Sequence, residues 1–155
     1  MKQLTLLANK YQNFEEILGT KLSPTEMTYA RYLSMAEQVY LAVLDNLDNV
    51  FLTLKSISAV DTVHLNQRLA SLEADNSRSA KKEKAILTRR LTLYKQQQQR
   101  TTEIILANER ALTELDEVSA KIASVQMNKG RADLDLDSAM EALRHLSERT
   151  DQYAR

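Results

Sequence analysis

Cysteine and tryptophan are absent from this 155-residue chain, proline occurs once and glycine twice. The lack of cysteine excludes disulfides, thiolate nucleophiles and cysteine-ligated metals. Because proline and glycine are the residues that most often interrupt helices, their scarcity favours long helices over sheets. The composition therefore predicts an all-α protein.

Net charge and long apolar runs are lacking as well. The 21 Lys and Arg residues balance the 21 Asp and Glu residues, so there is no general attraction to nucleic acid or to an anionic membrane. The longest uninterrupted apolar run covers residues 39–44, whereas a membrane span needs about 20 residues. The N-terminus has no apolar signal-peptide core. We therefore expect a cytoplasmic protein without a membrane span.

The first helical pattern lies at the N-terminus. Apolar residues spaced three and four apart form one narrow helix face, typical of a helix that packs on another helix: Leu4, Leu7, Tyr11, Phe14 and Leu18. Gly19 follows directly and can adopt the left-handed conformation at which helices often stop. The pattern predicts a first helix over about residues 3–18.

Residues 23–26 predict the start of a second helix. Ser23 can cap a helix, Pro24 suits its first turn, and Glu26 can bond back to the cap. Downstream, three columns of apolar residues recur seven apart, a face broad enough for more than one partner helix. Asp61 can cap a new helix, so the segment 24–74 is either broken near residues 58–61 or continuous.

Residues 75–79, D-N-S-R-S, favour a reversal of the chain. A very long helix is predicted from about residue 79 to 128, ended by Gly130. Folding at the turn pairs residues whose numbers sum to about 153. The seam of the long helix reads Leu87, Leu91, Tyr94, Gln98, Thr101, Ile105, Asn108, Leu112, Leu115, Ser119 and Ile122.

The last helix is predicted to begin after a polar loop, where Ser138 and Glu141 have capping-box spacing. Its seam is Ala139, Leu143, Leu146, Thr150 and Tyr153. We therefore predict a single domain built on an elongated, coiled-coil-like antiparallel helical hairpin. The short N- and C-terminal helices pack on its open end as a four-helix bundle. The bundle end comprises residues 1–58 and 100–155, and the hairpin tip residues 59–99.

The predicted pairing contains a mismatch. Residues 95–100, K-Q-Q-Q-Q-R, lie opposite four apolar residues: Val50, Phe51, Leu54 and Ile57. Burying such a side chain is worth about 1.5–3 kcal/mol, so we do not expect them to stay exposed. Either the chain bends near residues 58–61, or a second molecule covers them. We favour self-association through these four residues.

The motifs of enzymes and metal proteins are missing. His64 and His145 each lie about one turn from a carboxylate, but the repeated Glu-x-x-His of a di-metal bundle is absent. We therefore assign them to hydrogen bonds on a helix surface. There is no phosphate-binding loop, nucleophile elbow or pair of catalytic carboxylates. We expect no enzymatic activity, no cofactor, no metal and no small-molecule substrate.

An acidic alternation precedes the last predicted helix. Asp133, Asp135 and Asp137 resemble the opening of a calcium loop, but the glycine at its sixth position and the glutamate at its twelfth are missing. Acidic residues at this place complement the positive N-terminal end of a helix instead.

Basic residues crowd the start of the long helix, and we call residues 78–100 the basic arm. Its central cations are Lys81, Lys82, Arg89 and Arg90. They could bind an anionic membrane surface or nucleic acid. Alternatively, the facing carboxylates of Asp61, Glu73 and Asp75 neutralise them in a solvated tip.

Two of the polar residues in the seam of the long helix allow two interpretations. Asn108 and Thr101 either lie in the core, where a buried asparagine can fix register, or lie at the surface.

The C-terminal part contains three Leu-rich segments: residues 111–115 (A-L-T-E-L), 134–137 (L-D-L-D) and 142–146 (A-L-R-H-L). This pattern resembles the tail of bacterial XpaC-type proteins, helical proteins associated with toxic-anion (tellurite) resistance. The resemblance implies a helical, stress-linked bacterial protein, and it carries over no catalytic residues.

Together, these patterns predict a non-enzymatic helical scaffold or adaptor that binds protein, as a homo-oligomer or within a larger complex. The alternative is a peripheral membrane-associated or nucleic-acid-associated factor that uses the basic arm.

Overall fold

A computed structural model of the protein describes residues 2–127 and 132–154, with side chains through residue 152. Within these residues the chain forms five α-helices and no strand, which confirms the predicted all-α class. The helices are α1 (Lys2–Lys21), α2 (Met27–Ile57), α3 (Thr62–Ser71), α4 (Arg78–Ser124) and α5 (Ala132–Ala154).

The chain divides into two compact units. The first unit comprises Met1–Asp48 and Ile104–Arg155, and the second unit comprises Asn49–Glu103. Helices α2 and α4 therefore contribute residues to both units. The predicted division fell between residues 58 and 59 and between residues 99 and 100.

The core of the first unit is formed by α1, α2, α4 and α5. Each of these helices presents a row of apolar side chains at three- and four-residue spacing to one common cluster. The most deeply buried members are Leu7, Phe14, Leu18, Tyr32, Ala36, Val39, Val43, Leu112, Leu115, Ile122, Ala139, Leu143 and Leu146.

Within the first unit, α1 runs in the same direction as α4. The Gln3 amide donates a hydrogen bond to Glu109, and Lys10 forms an ion pair with Asp116. The second pair lies one heptad beyond the first on both helices. This constant offset is what two parallel helices in register require.

Helices α2 and α5 also run in the same direction. The Tyr32 hydroxyl donates to the backbone carbonyl of Leu136, and Ser147 Oγ donates to Gln38 Oε1 at 2.9 Å. Tyr32 is buried, and this burial raises the pKa of its hydroxyl to about 12. The bond satisfies a polar group that would otherwise be costly in the core.

The second unit has a much thinner core. Its buried apolar side chains are Val50, Leu65, Leu72 and Ala80. Leu69, Leu87, Leu91 and Tyr94 are half-buried beside them.

The interruption between α2 and α3 decides the alternative left open near residues 58–61. Asp61 caps α3, because its carboxylate accepts a hydrogen bond from the His64 backbone N–H at 2.9 Å. The break between helices predicted at residues 75–79 lies between the end of α3 at Ser71 and the start of α4 at Arg78. Asp75 accepts from the Ser77 N–H at 2.8 Å, and Ser77 Oγ accepts from the Ala80 N–H at 3.1 Å.

Two predicted boundaries near the N-terminus are wrong. Helix α1 continues through Gly19 to Lys21, since the extra turn buries Leu22 in the core; this burial outweighs the helix cost of glycine, about 1 kcal/mol. Glu26 does bond back to the Ser23 N–H at 2.7 Å, but α2 begins only at Met27.

Two predicted boundaries near the C-terminus are wrong as well. Helix α5 begins at Ala132, so Ser138 lies inside it rather than capping it. The reason is that Ala132 and Leu136 extend the buried row of the helix by two positions. Helix α4 ends at Ser124. Gly130, the predicted stop, lies outside the described residues, as does the side chain of Tyr153.

The middle of the α4 seam also differs from the prediction. Gln98 is exposed and its neighbour Gln97 is half-buried, while Ile104 is buried and Ile105 only half-buried. A straight α-helix has 3.6 residues per turn and drifts away from a strict heptad. The strict heptad count therefore placed the seam one residue too late here.

Candidate interaction surfaces

The four apolar residues predicted as an interface lie on the last turns of α2, in the second unit. We call Val50, Phe51, Leu54 and Ile57 the α2 apolar strip. Val50 is buried and Ile57 half-buried, so these two contribute to the unit's own packing. Phe51 is 63% exposed and Leu54 45% exposed. Of the four residues in the strip, only Phe51 and Leu54 present apolar surface to an outside partner.

The second unit offers little to cover Phe51 and Leu54. In residues 95–100 of α4, all side chains are polar or charged, and Gln97 alone is half-buried. A glutamine run supplies no apolar surface against which an aromatic ring could be buried. The exposure of Phe51 and Leu54 agrees with the predicted mismatch, and the break after residue 57 does not remove it.

The four central cations of the basic arm, Lys81, Lys82, Arg89 and Arg90, are all exposed. None of them forms an ion pair with any described residue. The ion pair of the second unit joins α3 to α4 instead: Arg68 Nε lies 2.7 Å from Glu83 Oε1, and Arg68 Nη2 donates to Glu83 Oε2 at 2.9 Å. This two-point hydrogen bond raises the pKa of Arg68 and lowers the pKa of Glu83.

The carboxylates predicted to neutralise the basic arm are engaged elsewhere or lie apart from it. Asp61 accepts the cap bond of α3, and Asp75 accepts the Ser77 backbone N–H, which lowers the pKa of Asp75. Glu73 forms no ion pair with a described residue. The four central cations of the basic arm therefore have no ion-pair partner within the described part of the chain.

The two units carry opposite charge. Residues 49–103 contain ten Lys and Arg residues and five Asp and Glu residues, a formal charge of +5. The rest of the chain contains eleven Lys and Arg residues and sixteen Asp and Glu residues, a formal charge of −5. The zero net charge of the whole chain therefore conceals a strong internal asymmetry.

Sequence reasoning missed a row of exposed residues on α4. Ile86 is 61% exposed and Leu93 56% exposed, and both lie among the cations of the basic arm. The signal was available, because Lys82, Ile86, Arg89 and Leu93 follow the same four-three-four spacing as the core seam. The core seam lies one face further round the helix and has the same spacing, so spacing alone does not show which of the two rows is exposed.

Three polar positions of the α4 seam, Thr101, Asn108 and Ser119, are buried. Asn46 Nδ2 donates to Asn108 Oδ1 at 2.9 Å, and both side chains are fully buried in the first unit. Asn108 Nδ2 lies 3.5 Å from the Val43 carbonyl, and Asn46 Oδ1 has no partner among the described residues. Thr101 is also buried, and its hydroxyl has no described partner. This amide pair joins α2 to α4 at one fixed register.

The histidines and the acidic alternation are not assembled into a metal site. In the described part of the chain, no three or more His, Asp or Glu side chains are close enough together to hold a metal ion. His145 lies 3.8 Å from Glu141 and 3.9 Å from Glu148, too far for hydrogen bonds. Asp133 and Asp135 lie in the first turn of α5, where their negative charges interact favourably with the positive N-terminal end of the helix.

None of the described helices combines the length and the apolar character needed to span a bilayer. Comparison of the chain with protein-family models, with curated proteins and with solved structures gave no match. The resemblance to XpaC-type proteins stays a prediction.

Proposed function

We propose that this chain is a non-enzymatic helical scaffold or adaptor that acts by binding protein, including a second copy of itself. The observation that carries this proposal is the exposure of Phe51 and Leu54 on α2, in a unit where residues 95–100, predicted to lie opposite them, are all polar or charged. Large apolar side chains that a chain cannot cover by itself mark protein interaction sites. The α2 apolar strip is the proposed interface.

The proposed architecture is an antiparallel hairpin in which α2 and α3 face α4, joined in the first unit by α1 and α5 as a four-helix bundle. Support comes from contacts inside each unit. The pairs Asn46–Asn108 and Arg68–Glu83 both lie within two of the predicted residue sum of about 153. Side chains of α1, α2, α4 and α5 share one core in the first unit.

The energy available at the strip is modest. Full burial of a phenylalanine or leucine side chain is worth about 1.5–3 kcal/mol. Because Phe51 is 63% exposed and Leu54 45% exposed, a partner would gain roughly half of this, about 1–2 kcal/mol for each residue. In a symmetric dimer the same residues would contribute from both copies. Contacts beyond the strip must supply the rest of the affinity.

Replacing Phe51 and Leu54 together by serine tests the proposal. Since both side chains are largely exposed, we expect helicity and thermal stability to remain near those of the unchanged chain. Self-association, measured by light scattering or sedimentation over a range of concentrations, should weaken by about tenfold or more. The matched control is Leu134→Ser, which removes an aliphatic side chain that is 68% exposed on α5 in the first unit. It should leave association unchanged.

An unchanged chain that stays monomeric at every accessible concentration, with intact helicity, would refute self-association. If it then captured no other protein from its host, the scaffold proposal would fail with it. The predicted role in a stress response, the cytoplasmic location and the lack of enzymatic activity stay predictions. So does the alternative of an anionic membrane or nucleic acid on the basic arm, which the experiment in the next section separates from protein binding.

A further inference from the structure

We infer that one exposed row of the basic arm of α4 docks on the acidic outer face of α2 in a second copy of this chain. This inference rests on the proposed function, self-association, and assigns it a second contact of defined chemistry. The basic row consists of Lys82, Ile86, Arg89 and Leu93 in the second unit. The acidic row consists of Glu37, Leu41, Asp45 and Asp48 in the first unit.

The basic row lines one face of α4, and its four side chains are exposed in the described part of the chain. Its four residues are spaced four, three and four apart, so they lie in one line along α4. All four are exposed, and they lie away from the half-buried Leu87, which faces the unit's own core. Neither Lys82 nor Arg89 forms an ion pair with a described residue. The row thus has the spacing of a helix–helix seam, yet the described part of the chain leaves its four side chains exposed.

The acidic row is built in the same way with the opposite charge. Glu37, Asp45 and Asp48 are exposed, and Leu41 between them is 51% exposed. The row points away from the core because Ala36, Val39, Val43 and Asn46 occupy the buried side of α2. None of the three carboxylates forms an ion pair with a described residue. Each row therefore offers charged side chains around a central aliphatic contact.

Charge complementarity selects a second copy as the occupant. The unit that holds the basic row carries a formal charge of +5, and the remainder of the chain, which holds the acidic row, carries −5. Two copies can bring these surfaces together, aligning Leu41 with an aliphatic residue of the basic row and carboxylates with cations. In helix–helix contacts such flanking charges set partner and orientation.

The composition of the basic row fits a lipid surface or nucleic acid less well. A helix that lies on a membrane has its apolar residues on one face and its cations on the other. Here Lys82 and Arg89 alternate with Ile86 and Leu93 in the same row. A phosphate backbone, in turn, would be contacted by polar and cationic groups, and the two exposed aliphatic side chains would gain nothing there.

This contact joins different surfaces of the two copies. A single contact of this kind leaves one basic row and one acidic row free, so repeated contacts build rings or open chains, whereas two copies that exchange both contacts close into a dimer. We expect closed dimers or larger assemblies at low ionic strength, where the contact is strong.

Matched charge-reversal variants test the inference. The first is Lys82→Glu with Arg89→Glu, and the second is Asp45→Lys with Asp48→Lys. The control, Lys84→Glu with Lys95→Glu, makes the same charge change at exposed positions on the other side of α4. Circular dichroism checks that each variant folds. Sedimentation velocity then measures association at about 0.01 M and about 1 M salt, where screening extends over about 30 Å and 3 Å.

We expect each reversal to weaken association at low salt by about tenfold or more, and the control to change it little. The decisive expectation is that the two reversed variants, when mixed, associate with each other again, since each then supplies the charge that the other lost. High salt should weaken the unchanged chain.

Several outcomes would overturn the inference, and each shows whether the proposed function fails with it. If the unchanged chain associates and only Phe51→Ser with Leu54→Ser prevents it, the apolar strip stands and the charged contact falls. If the unchanged chain never associates, both fall. If it binds phosphatidylserine vesicles or duplex DNA through Lys82 and Arg89 while its self-association ignores the reversals, the basic row serves an anionic partner. If the mixed variants fail to associate, charge pairing between copies is refuted.

Discussion

Replacing Asn108 by leucine tests what the buried amide pair contributes to the first unit. Leucine has the same number and branching of side-chain heavy atoms as asparagine, so the change alters polarity more than shape. In the unchanged protein the Asn46 amide donates to Asn108 at 2.9 Å with both side chains fully buried. The substitution leaves that donor in the core without an acceptor.

The size of the effect follows from how each amide is satisfied. A buried polar group that loses its partner costs about 1–3 kcal/mol, so Asn108→Leu alone should lower the free energy of unfolding by about that amount. Asn46→Leu should cost a similar amount, because Asn108 retains only the 3.5 Å contact to the Val43 carbonyl. The double variant removes both amides, including the already unpartnered Asn46 Oδ1. We expect it to be as stable as the unchanged protein or more stable.

Urea unfolding of the four proteins forms a double-mutant cycle. The expected result is a coupling energy of about 2–6 kcal/mol, because each single variant loses about 1–3 kcal/mol and the double variant recovers both losses. If the two single effects simply add, the amides do not depend on each other. In that case the reasoning from the 2.9 Å bond is refuted.

Two further predictions concern titration and capping. The pKa of Tyr32 rises from 10.0 to about 12 in the folded protein, so the unfolded chain loses this proton first. Its contribution to stability is full below pH 10 and is lost as the pH rises through about 12, by about 2–3 kcal/mol in total. In urea unfolding, the free energy of unfolding of Tyr32→Phe should fall less steeply over that pH range than that of the unchanged protein. A remaining slope is expected in the variant, because it retains Tyr11, whose pKa is also raised by burial and by Glu37. Asp61→Ala should remove the cap of α3 and lower the free energy of unfolding by about 1 kcal/mol; amide exchange should accelerate first at His64, and an unchanged rate there would contradict the capping role.

Much of the helical layout could be read from the sequence because it depends on local spacing. The reversal near Asn76 was predictable from short polar residues, and the structure places capping bonds at Asp75 and Ser77 there. The buried rows of α1, α2 and the later part of α4 follow the predicted three- and four-residue spacing. Local patterns of this kind survive because burial and helix geometry favour the same positions.

Helix ends were harder to predict, because tertiary burial decided them. Gly19 and Ser138 both have the chemistry of helix ends, yet both lie inside helices. In each case one more turn buries an apolar side chain, Leu22 or Leu136, against helices that are distant in sequence. A local stop signal worth about 1 kcal/mol loses to a burial worth about 1.5–3 kcal/mol.

The candidate surfaces were only half predictable for a related reason. The predicted pairing of the helices sets Phe51 opposite the polar residues 95–100, so its lack of an apolar neighbour could be predicted from the sequence. That Lys82 and Arg89 form no ion pair with any described residue could not be predicted from the sequence, because Glu83 pairs with Arg68 of α3 instead. Pairing among long charged side chains depends on three-dimensional geometry that spacing alone does not specify.

The buried amide pair also connects the core to the proposed contact between copies. A shift of α2 by one residue against α4 would rotate its side chains by about 100° and break the bond between Asn46 and Asn108. That rotation would turn Asp45 away from the position it holds in the acidic row. The amide pair thus holds the acidic row outward at some cost in stability, as buried asparagines do when they fix register. The leucine double variant should therefore retain stability while its assembly loses sensitivity to salt. If its salt-dependent assembly were unchanged, packing of the apolar residues around the pair would be enough to fix the register, and the amides would serve no purpose in assembly.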